Sequence, residues 1–240
     1  MSAGTTDVVR PIDSGRKPLV GFHFGLNSAE HDLSPASGPL LYRNGVKRLL
    51  DVAVILVTAP AVVPLIVLLA VIVAFRGGRP FYSQSRVGRG GKIYTMWKLR
   101  SMIQNADLAL EAHLANHPGA RAEWDLTQKL KSDPRITRFG RVLRKTSLDE
   151  LPQLWNVLLG DMSLVGPRPM MPSQRSLYPG QAYYRLRPGI TGMWQVSARN
   201  DSSFADRAGF DAAYDQSVSF GTDLALLRAT VGVVLHGTGH

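Results

Sequence analysis

The chain has 240 residues, a formal net charge of +10 and no cysteine. This length is sufficient for one good-sized domain or two small ones with a real hydrophobic core. The lack of cysteine excludes disulfides, thiol nucleophiles and cysteine metal sites. The positive charge predicts an anionic partner, and nucleic acid, an acidic membrane surface and a phosphorylated substrate are the three candidates.

The N-terminal part divides into a leader and an apolar segment. Residues 1–45 mix glycine, serine, proline and charge without periodicity, which predicts a flexible leader. Residues 52–75 carry no charge, and this run is longer than the roughly 20 residues that cross a bilayer. It begins too far from Met1, and lacks the cleavage pattern, for an ordinary signal peptide. We predict a membrane helix within 46–76, followed by one domain over 77–240.

Basic residues flank the apolar run on both sides: Lys47, Arg48, Arg76 and Arg79. The positive-inside rule therefore draws both ends to the cytoplasm, which a straight span cannot satisfy. Pro60 and Pro64 inside the run each remove an amide donor and favour a kink. We predict a helix that breaks at these prolines and re-emerges on the same membrane face. An ordinary bitopic helix with tolerated prolines is the alternative.

After the membrane segment, the pattern predicts a hairpin that leads into helices. Residues 81–102 alternate short apolar pieces around a glycine turn, as two paired strands do. Residues 103–124 have the pattern of one amphipathic helix. His113 and His117 have a spacing that can share a metal ion, but no third ligand is evident, so an exposed helix face is favoured. A closing helix is predicted near 223–235.

A strongly basic segment precedes the most informative part of the chain. Arginine recurs every three residues from Arg135 to Arg144, so a helix here would carry a broad cationic stripe. A solvated face is one interpretation, and binding to nucleic acid or lipid headgroups is the alternative. The stripe consists of Lys129, Lys131, Arg135, Arg138, Arg141, Arg144 and Lys145.

The segment RKTSLDELPQLWN, residues 144–156, contains two adjacent carboxylates, Asp149 and Glu150. Acidic residues at a helix start commonly cap orphan amides and face the positive end of the helix dipole. Pro152 favours a helix that starts near Asp149 over one with a capping box from Ser147. The local pattern alone therefore favours capping over catalysis for these two acids.

Two later segments are also basic and rigid. The GPRP segment places Arg168 between prolines, which fix the backbone near one guanidinium. Such a loop either binds phosphate or turns a corner, and the residues alone leave both open. Residues 186–201, LRPGITGMWQVSARND, add glycines, an aromatic residue and further positive charge. The sequence contains neither a Walker phosphate loop nor an acidic D-x-D metal motif.

In chain order, five segments closely resemble the bacterial sugar transferase family of monotopic phosphoglycosyl transferases: KRLLD, the apolar run, RVGRGGKIYTMWKLRSM, the block from DPRITRFG to GPRP, and LRPGITGMWQVSARN. The resemblance extends from about residue 46 to the C-terminus. It implies an α+β membrane-associated fold with one proline-broken re-entrant helix and a cytoplasmic, mainly helical catalytic domain with short strands. The family usually breaks its helix at a Ser-Pro pair, whereas Val63 precedes Pro64 here.

The resemblance implies transfer of a hexose-1-phosphate from UDP-galactose or UDP-glucose to undecaprenyl phosphate, with release of UMP. Asp149 would be the nucleophile that forms a covalent phosphosugar intermediate. Glu150 would help to hold Mg²⁺ or assist the incoming lipid phosphate, and the metal would bridge both acids and the diphosphate. Galactose is the first expectation for the sugar and glucose the second.

Arg144 and Arg168 match family positions near the phosphates, and Lys98 and Arg100 also match the family pattern as further candidates for binding the phosphates. An anionic nucleophile requires that the negative charge of its electrophile be neutralised nearby, which suits both Mg²⁺ and these cations. A helix N-terminus also stabilises anions, so capping and catalysis share one geometry at Asp149.

The implied location is the cytoplasmic face of the bacterial inner membrane, as the first membrane step of exopolysaccharide biosynthesis. Anionic membrane lipids are expected partners, nucleic acid is not, and a homo-oligomer is left open. Two other interpretations fit the residues. One is a membrane-tethered basic nucleic-acid-binding or scaffold protein without catalysis, and the other is an inactive relative that serves as an assembly partner.

Overall fold

The computed structural model of the protein describes residues 40–76, 78–127, 130–197 and 204–235. In chain order, the α-helices are α1 (Lys47–Phe75), α2 (Ala106–Asn116), α3 (Pro118–Thr127), α4 (Arg138–Lys145), α5 (Gln153–Leu159), α6 (Ala182–Arg185), α7 (Met193–Ser197), α8 (Arg207–Ser217) and α9 (Phe220–Leu235). The strands are β1 (Phe81–Val87), β2 (Ile93–Leu99), β3 (Ser163–Val165) and β4 (Gly189–Thr191).

The predicted class is confirmed, because the described residues form a mainly helical fold with a few short strands and one long apolar helix. Strands β1 and β2 form the predicted antiparallel hairpin. Its turn requires glycine at Gly90 and Gly91, whose φ angles of 67° and 77° are left-handed. Strands β3 and β4 pair in parallel. The closing helix is also found, as α9.

The apolar helix begins earlier than predicted. A π-helical turn, Tyr42–Val46, runs directly into α1, so the predicted leader boundary at residue 45 lies within helical structure. The rest of the leader, residues 1–39, lies outside the described residues. The helix continues through Pro60 and Pro64, so the prolines do not end it. Tyr42–Phe75 is the helix in the described chain that is long and apolar enough to cross a membrane.

Both ends of α1 pack against the domain that follows it. Near the first end, the buried carboxylate of Asp51 accepts hydrogen bonds from the Ser163 hydroxyl at 2.7 Å and the Leu164 amide at 3.2 Å. Near the second end, Leu69 is buried in a cluster with Leu143 of α4. The opposite face of the helix is apolar and exposed, at Leu56, Val57, Val67, Leu68 and Phe75.

Charged residues at the start of α1 reinforce this attachment. The carboxylate of Asp223 in α9 accepts hydrogen bonds at 2.5–2.7 Å from three residues: Tyr42, Lys47 and Tyr214. Arg43 forms an ion pair with Asp215 of α8. Arg48 donates to the carbonyl of Leu158 at 2.8 Å. The cations before the apolar run therefore bind the domain directly. The positive-inside rule, from which their role was predicted, concerns only their position relative to the membrane.

Two helix predictions require correction. The single helix predicted over 103–124 is divided into α2 and α3, because the ring of Pro118 removes an amide donor and fits only the first position of a new helix.

The rings of His113 and His117 stack with their centroids 4.3 Å apart. Neither belongs to any group of three potential metal ligands within the described ranges.

The predicted cationic stripe is not one helix face. Among the residues of the stripe that the structure describes, only those within Arg138–Lys145 are helical, because the hydroxyl of Thr137 accepts the Gly140 amide hydrogen at 2.9 Å and starts the helix there. Arg135 precedes this helix and is buried against Asp133, with an ion-pair distance of 2.7 Å. Lys129 lies outside the described residues.

Candidate active site

Asp149 and Glu150 lie on a tight turn between α4 and α5. After α4, Ser147 adopts a left-handed conformation with φ of 56°, an uncommon value for a residue other than glycine. The two acids follow on a 3-10 turn, Leu148–Glu150, and α5 begins after Pro152. Ser147 makes no capping hydrogen bond, so the capping box does not form. The favoured start near Asp149 agrees with this geometry.

Strand β2 is held against α5 by Asn156, a residue that the sequence analysis did not identify. Its fully buried amide donates to the Thr95 carbonyl at 2.7 Å and accepts from the Trp97 amide at 3.1 Å. This contact brings the next residue of the strand, Lys98, beside the acids. The Lys98 ammonium donates to Oε1 of Glu150 at 2.7 Å.

Arg144 approaches the acids from α4. Its Nε donates to the Ser101 hydroxyl at 2.9 Å. Gly140 makes this close approach possible, because a Cβ there would lie 1.8 Å from the carbonyl oxygen of Ser101. Burial lowers the pKa of Arg144, while the negative charges of Asp149 and Glu150 act in the opposite direction. The guanidinium is therefore fixed next to the two carboxylates with limited access to water.

Asp149 is buried, with 6% of its surface exposed. Burial is the largest effect on its carboxyl group and raises the pKa above the usual value. The positive charge of Lys98 lowers this pKa and the negative charge of Glu150 raises it. The positive charge of Arg144 also lowers it. The balance is a raised pKa, so desolvation outweighs the two cations. Once ionised, this carboxylate has few water molecules to displace before it attacks an electrophile.

A cavity of about 310 Å³ adjoins Glu150 on the side of α7 and α9. Arg168 of the GPRP segment lines this cavity, and its guanidinium lies 5.5 Å from the centre of the Trp194 ring. Gln195, also in the lining, is 7% exposed, and neither polar atom of its amide has a hydrogen-bond partner among the described residues. No pattern in the sequence distinguished Gln195 from its neighbours.

The two rigid segments of the sequence analysis lie side by side at this cavity. The amide of Gly166, at the start of GPRP, donates to the Thr191 carbonyl of β4 at 2.9 Å. A Cβ at Gly189 would lie 2.1 Å from the nitrogen of Gly166, so the two backbones touch. The position of Arg168 is therefore set by backbone packing on both sides of its loop.

Five of the six predicted site residues are arranged around one place: Lys98, Arg144, Asp149, Glu150 and Arg168. Arg100 is directed elsewhere. Its Nε donates to the Arg79 carbonyl at 2.9 Å, and its guanidinium lies 5.6 Å from the centre of the Tyr82 ring. The catalytic and binding roles of these residues stay predictions.

The acid pair has donor chemistry that suits Mg²⁺. This ion usually binds through one or two protein carboxylates, with water and substrate phosphate oxygens completing its octahedral shell. Asp149 and Glu150 supply two adjacent carboxylates, and a bound cation would offset their mutual repulsion. A dedicated cage of three or more acidic or histidine ligands is not present in the part of the chain that the structure describes.

The sequence profile of the bacterial sugar transferase family matches residues 42–237. The chain therefore belongs to the bacterial sugar transferase family, a family of enzymes, and the resemblance noted from the motifs is confirmed.

Three relatives illustrate the similarity. The chain is 48% identical over 196 residues to the UDP-galactose-lipid carrier transferase of Erwinia amylovora. It is 46% identical over 196 residues to the undecaprenyl-phosphate galactose phosphotransferase of Salmonella typhimurium. Each match covers 81% of this chain but 41% of the relative, so the chain spans less than half of those proteins. It is 43% identical over 196 residues to the exopolysaccharide production protein ExoY of Sinorhizobium fredii, covering 80% of this chain and 87% of that protein.

Proposed function

We propose that the protein transfers a hexose-1-phosphate from a UDP-sugar to undecaprenyl phosphate, releasing UMP, in exopolysaccharide biosynthesis. The observation that carries this proposal is the buried Asp149, which lies with Glu150 between the cations of Lys98 and Arg144. Galactose is the favoured sugar, because the names of the Erwinia and Salmonella relatives specify it, and glucose is the second candidate.

The first step is attack by a carboxylate oxygen of Asp149 on the β-phosphorus of the UDP-sugar. A bond forms between this oxygen and phosphorus, and the bond from phosphorus to the bridging oxygen breaks, so that UMP leaves with the electron pair. The phosphosugar stays on Asp149 as an acyl phosphate. Arg144 and Arg168 stabilise the charge on the phosphate oxygens, because guanidinium groups can donate two parallel hydrogen bonds to phosphate.

In the second step, a phosphate oxygen of undecaprenyl phosphate attacks the same phosphorus atom. The bond to the Asp149 oxygen breaks, which regenerates the carboxylate and yields an undecaprenyl diphosphate sugar. Glu150 is placed to orient the incoming phosphate or accept its proton, with Lys98 holding the Glu150 carboxylate in position.

Mg²⁺ is the proposed cofactor, and Asp149 and Glu150 would hold it. When bound, the ion supplies charge neutralisation for the diphosphate and the leaving UMP.

An apolar groove gives the acceptor a route to the acids. A cavity of about 370 Å³ lies between the middle of α1 and the elements β1, β2 and α5. Its lining is almost entirely apolar, and Pro152 in this lining is two residues from Glu150. Further lining residues are Ile55, Ala59, Val63, Phe81, Trp97 and Trp155. We assign the first prenyl units to this groove, since it opens beside the exposed apolar face of α1.

The proposed location is the cytoplasmic face of the inner membrane. A helix fastened to one domain at both Asp51 and Leu69 cannot leave its two ends on opposite sides of a bilayer. The attachment therefore supports entry and exit by one face, with the exposed apolar side of α1 in lipid. UDP-sugars are made in the cytoplasm, so the acids must face that compartment.

We expect the protein to become labelled when it is incubated with a UDP-sugar carrying ³²P in the β-phosphate and no lipid acceptor. The physical reason is that Asp149 keeps the phosphosugar until a second nucleophile arrives. Label on the protein is counted after denaturation, and steady-state kinetics should be ping-pong. Addition of undecaprenyl phosphate should discharge the label, and chelation of Mg²⁺ should prevent labelling.

The control for this experiment is Glu150→Gln, which leaves Asp149 in place. It should take up label more slowly than the parent protein, because one proposed Mg²⁺ ligand is lost, and should also discharge the label slowly, because Glu150 acts on the incoming acceptor. Strictly sequential kinetics with no labelled protein would instead support direct transfer between the two substrates.

For topology, we expect both termini to be protected in intact cells. Single cysteines at Ser14→Cys and Thr238→Cys are unambiguous, since the native chain has none. An impermeant thiol reagent should label neither position until the membrane is opened, because α1 is attached to the domain at both ends. Labelling of Ser14→Cys alone in intact cells would show a bitopic helix.

A further inference from the structure

Three arginines from distant parts of the chain lie near one another, and one of them, Arg168, lines the cavity beside Glu150. Arg168 and Arg207 both lie over the Trp194 ring, with guanidinium carbons 5.5 Å and 4.3 Å from its centre. Arg86 comes from β1, where the amide of the next residue, Val87, donates to the Met170 carbonyl at 3.0 Å. This bond holds the end of β1 against the loop that carries Arg168.

The positions of Arg86 and Arg207 are fixed, yet their hydrogen bonding is incomplete. Arg207 lies between two aromatic rings, with the Phe204 centroid at 4.6 Å. The Nε atoms of both Arg86 and Arg207 are buried and have no hydrogen-bond partner among the described residues. A buried guanidinium donor without an acceptor is costly, so these two atoms are expected to have acceptors when the protein works.

The charges of the three arginines are also poorly balanced. The neighbouring carboxyl of Asp211 is fully buried, and burial raises its pKa to about 7, against the hydrogen bond from Tyr178 and the charge of Arg207. Burial therefore disfavours the negative charge that would balance Arg207. Burial, followed by the positive charge of Arg168, lowers the pKa of Arg207 to about 10. The same two causes lower the pKa of Arg86.

We propose that Arg86 and Arg207 extend the phosphate site of Arg168, and that these two guanidinium groups bind the phosphate of a nucleoside monophosphate unit. This inference rests on the proposed function, in which UMP forms that end of the donor and is the leaving group. Arg168 lines the cavity beside Glu150, so the attacked phosphate lies between Arg168 and the acid pair. Arg86 and Arg207 then contact the remaining phosphate of the donor.

The position of the cluster in the fold favours a nucleotide over a lipid headgroup. Arg86 and Arg207 adjoin the hydrophobic cluster of Val87, Met170, Tyr178, Tyr183 and Ala208, and no residue of α1 belongs to it. The other three hydrophobic clusters each contain residues of the apolar helical segment. The arginine cluster therefore lies on the side of the domain away from the membrane helix, where a soluble nucleotide has access.

The test measures binding of UMP by calorimetry to the full-length protein in detergent, without lipid acceptor or turnover. We expect Arg207→Gln and Arg86→Gln each to weaken UMP binding by roughly ten- to a hundredfold, since each removes a charge-assisted contact to phosphate. Uridine, which lacks the phosphate, should bind the variants and the parent protein with similar affinity. Arg121→Gln, in an exposed ion pair on α3, removes the same charge and should leave UMP binding unchanged.

Arg207→Lys covers the case in which glutamine disturbs the packing around Trp194. It keeps the charge but loses the planar fork, so UMP binding should still weaken. Unchanged UMP affinity in all three variants would overturn the proposal. So would an equal loss of uridine affinity, which would indicate a nucleoside site.

A second probe separates the two sources of phosphate. Binding to phosphatidylglycerol vesicles should be the same in the variants and the parent protein. Loss of vesicle binding together with normal UMP affinity would identify a site for lipid headgroups and overturn the proposal. The readout is independent of sugar transfer. If UMP binding depends on the arginines but no sugar is transferred, the inference stands and the proposed function fails.

Discussion

Asp149→Asn should reduce turnover by about 10³-fold or more, since removal of a covalent nucleophile typically costs that much. The amide retains the size of the side chain and can still pack in the turn, but it has no ionised oxygen with which to attack phosphorus. UMP release from a UDP-sugar, in the presence of undecaprenyl phosphate and Mg²⁺, measures the effect. Asp125→Asn on α3 is the matched control, and it should be fully active.

The same substitution should leave the thermal midpoint of unfolding unchanged or raise it. The pKa of Asp149 is raised in the folded protein by burial, so ionisation of this group opposes folding above its unfolded-state pKa. A neutral amide removes that cost at neutral pH. A variant that is inactive but equally stable would assign the loss to chemistry, whereas near-normal UMP release would remove Asp149 from the mechanism.

Lys98→Met should lower turnover by about 10²-fold, comparable to the loss of one electrostatic stabiliser in an active site. The acid limb of the pH profile of kcat/KM should also move to higher pH in this variant. The ammonium lowers the pKa of Asp149 against the effect of burial, so its loss leaves the carboxyl protonated to a higher pH. The pH dependence of kcat/KM measures this shift.

Lys92→Met, at the exposed turn of the same hairpin, is the control for loss of a positive charge. Its pH profile should match that of the parent protein. An acid limb that stays in place in Lys98→Met would show that Lys98 does not act on the nucleophile through its charge.

The prediction of fold from sequence succeeded where hydrophobic pattern and turn residues act locally. The hairpin around Gly90 and Gly91 and the closing helix α9 are both found. It failed at Pro118, where one helix was predicted and two are found, because apolar spacing was given more weight than the missing amide donor. The cationic stripe was predicted for a helix that includes all of its residues. It is not found as one face, since periodic arginines indicate one face only if all of them belong to one helix.

The residues of the candidate site also fall into two groups, those that the sequence reveals and those that it does not. Asp149, Glu150 and Arg168 lie in segments with unusual local composition, so family motifs reveal them. Gln195 and Asn156 are ordinary residues in sequence, and their importance comes from burial and from partners that only the folded chain brings near. Single-sequence patterns contain no information on such contacts, which depend on packing between distant elements.

The attachment of α1 also has a consequence for synthesis of the chain. Tyr42 and Lys47 are translated long before Asp223, and their hydrogen bonds span 181 and 176 residues. At about 5–20 residues per second, the apolar helix would wait roughly 10–40 seconds for its carboxylate partner. During that interval Asp223 has not been made, and the side of the helix that packs on the domain is uncovered. The apolar helix is therefore made before the elements on which it packs, and a nascent chain released before α9 would lack the hydrogen bonds from Tyr42 and Lys47 to Asp223.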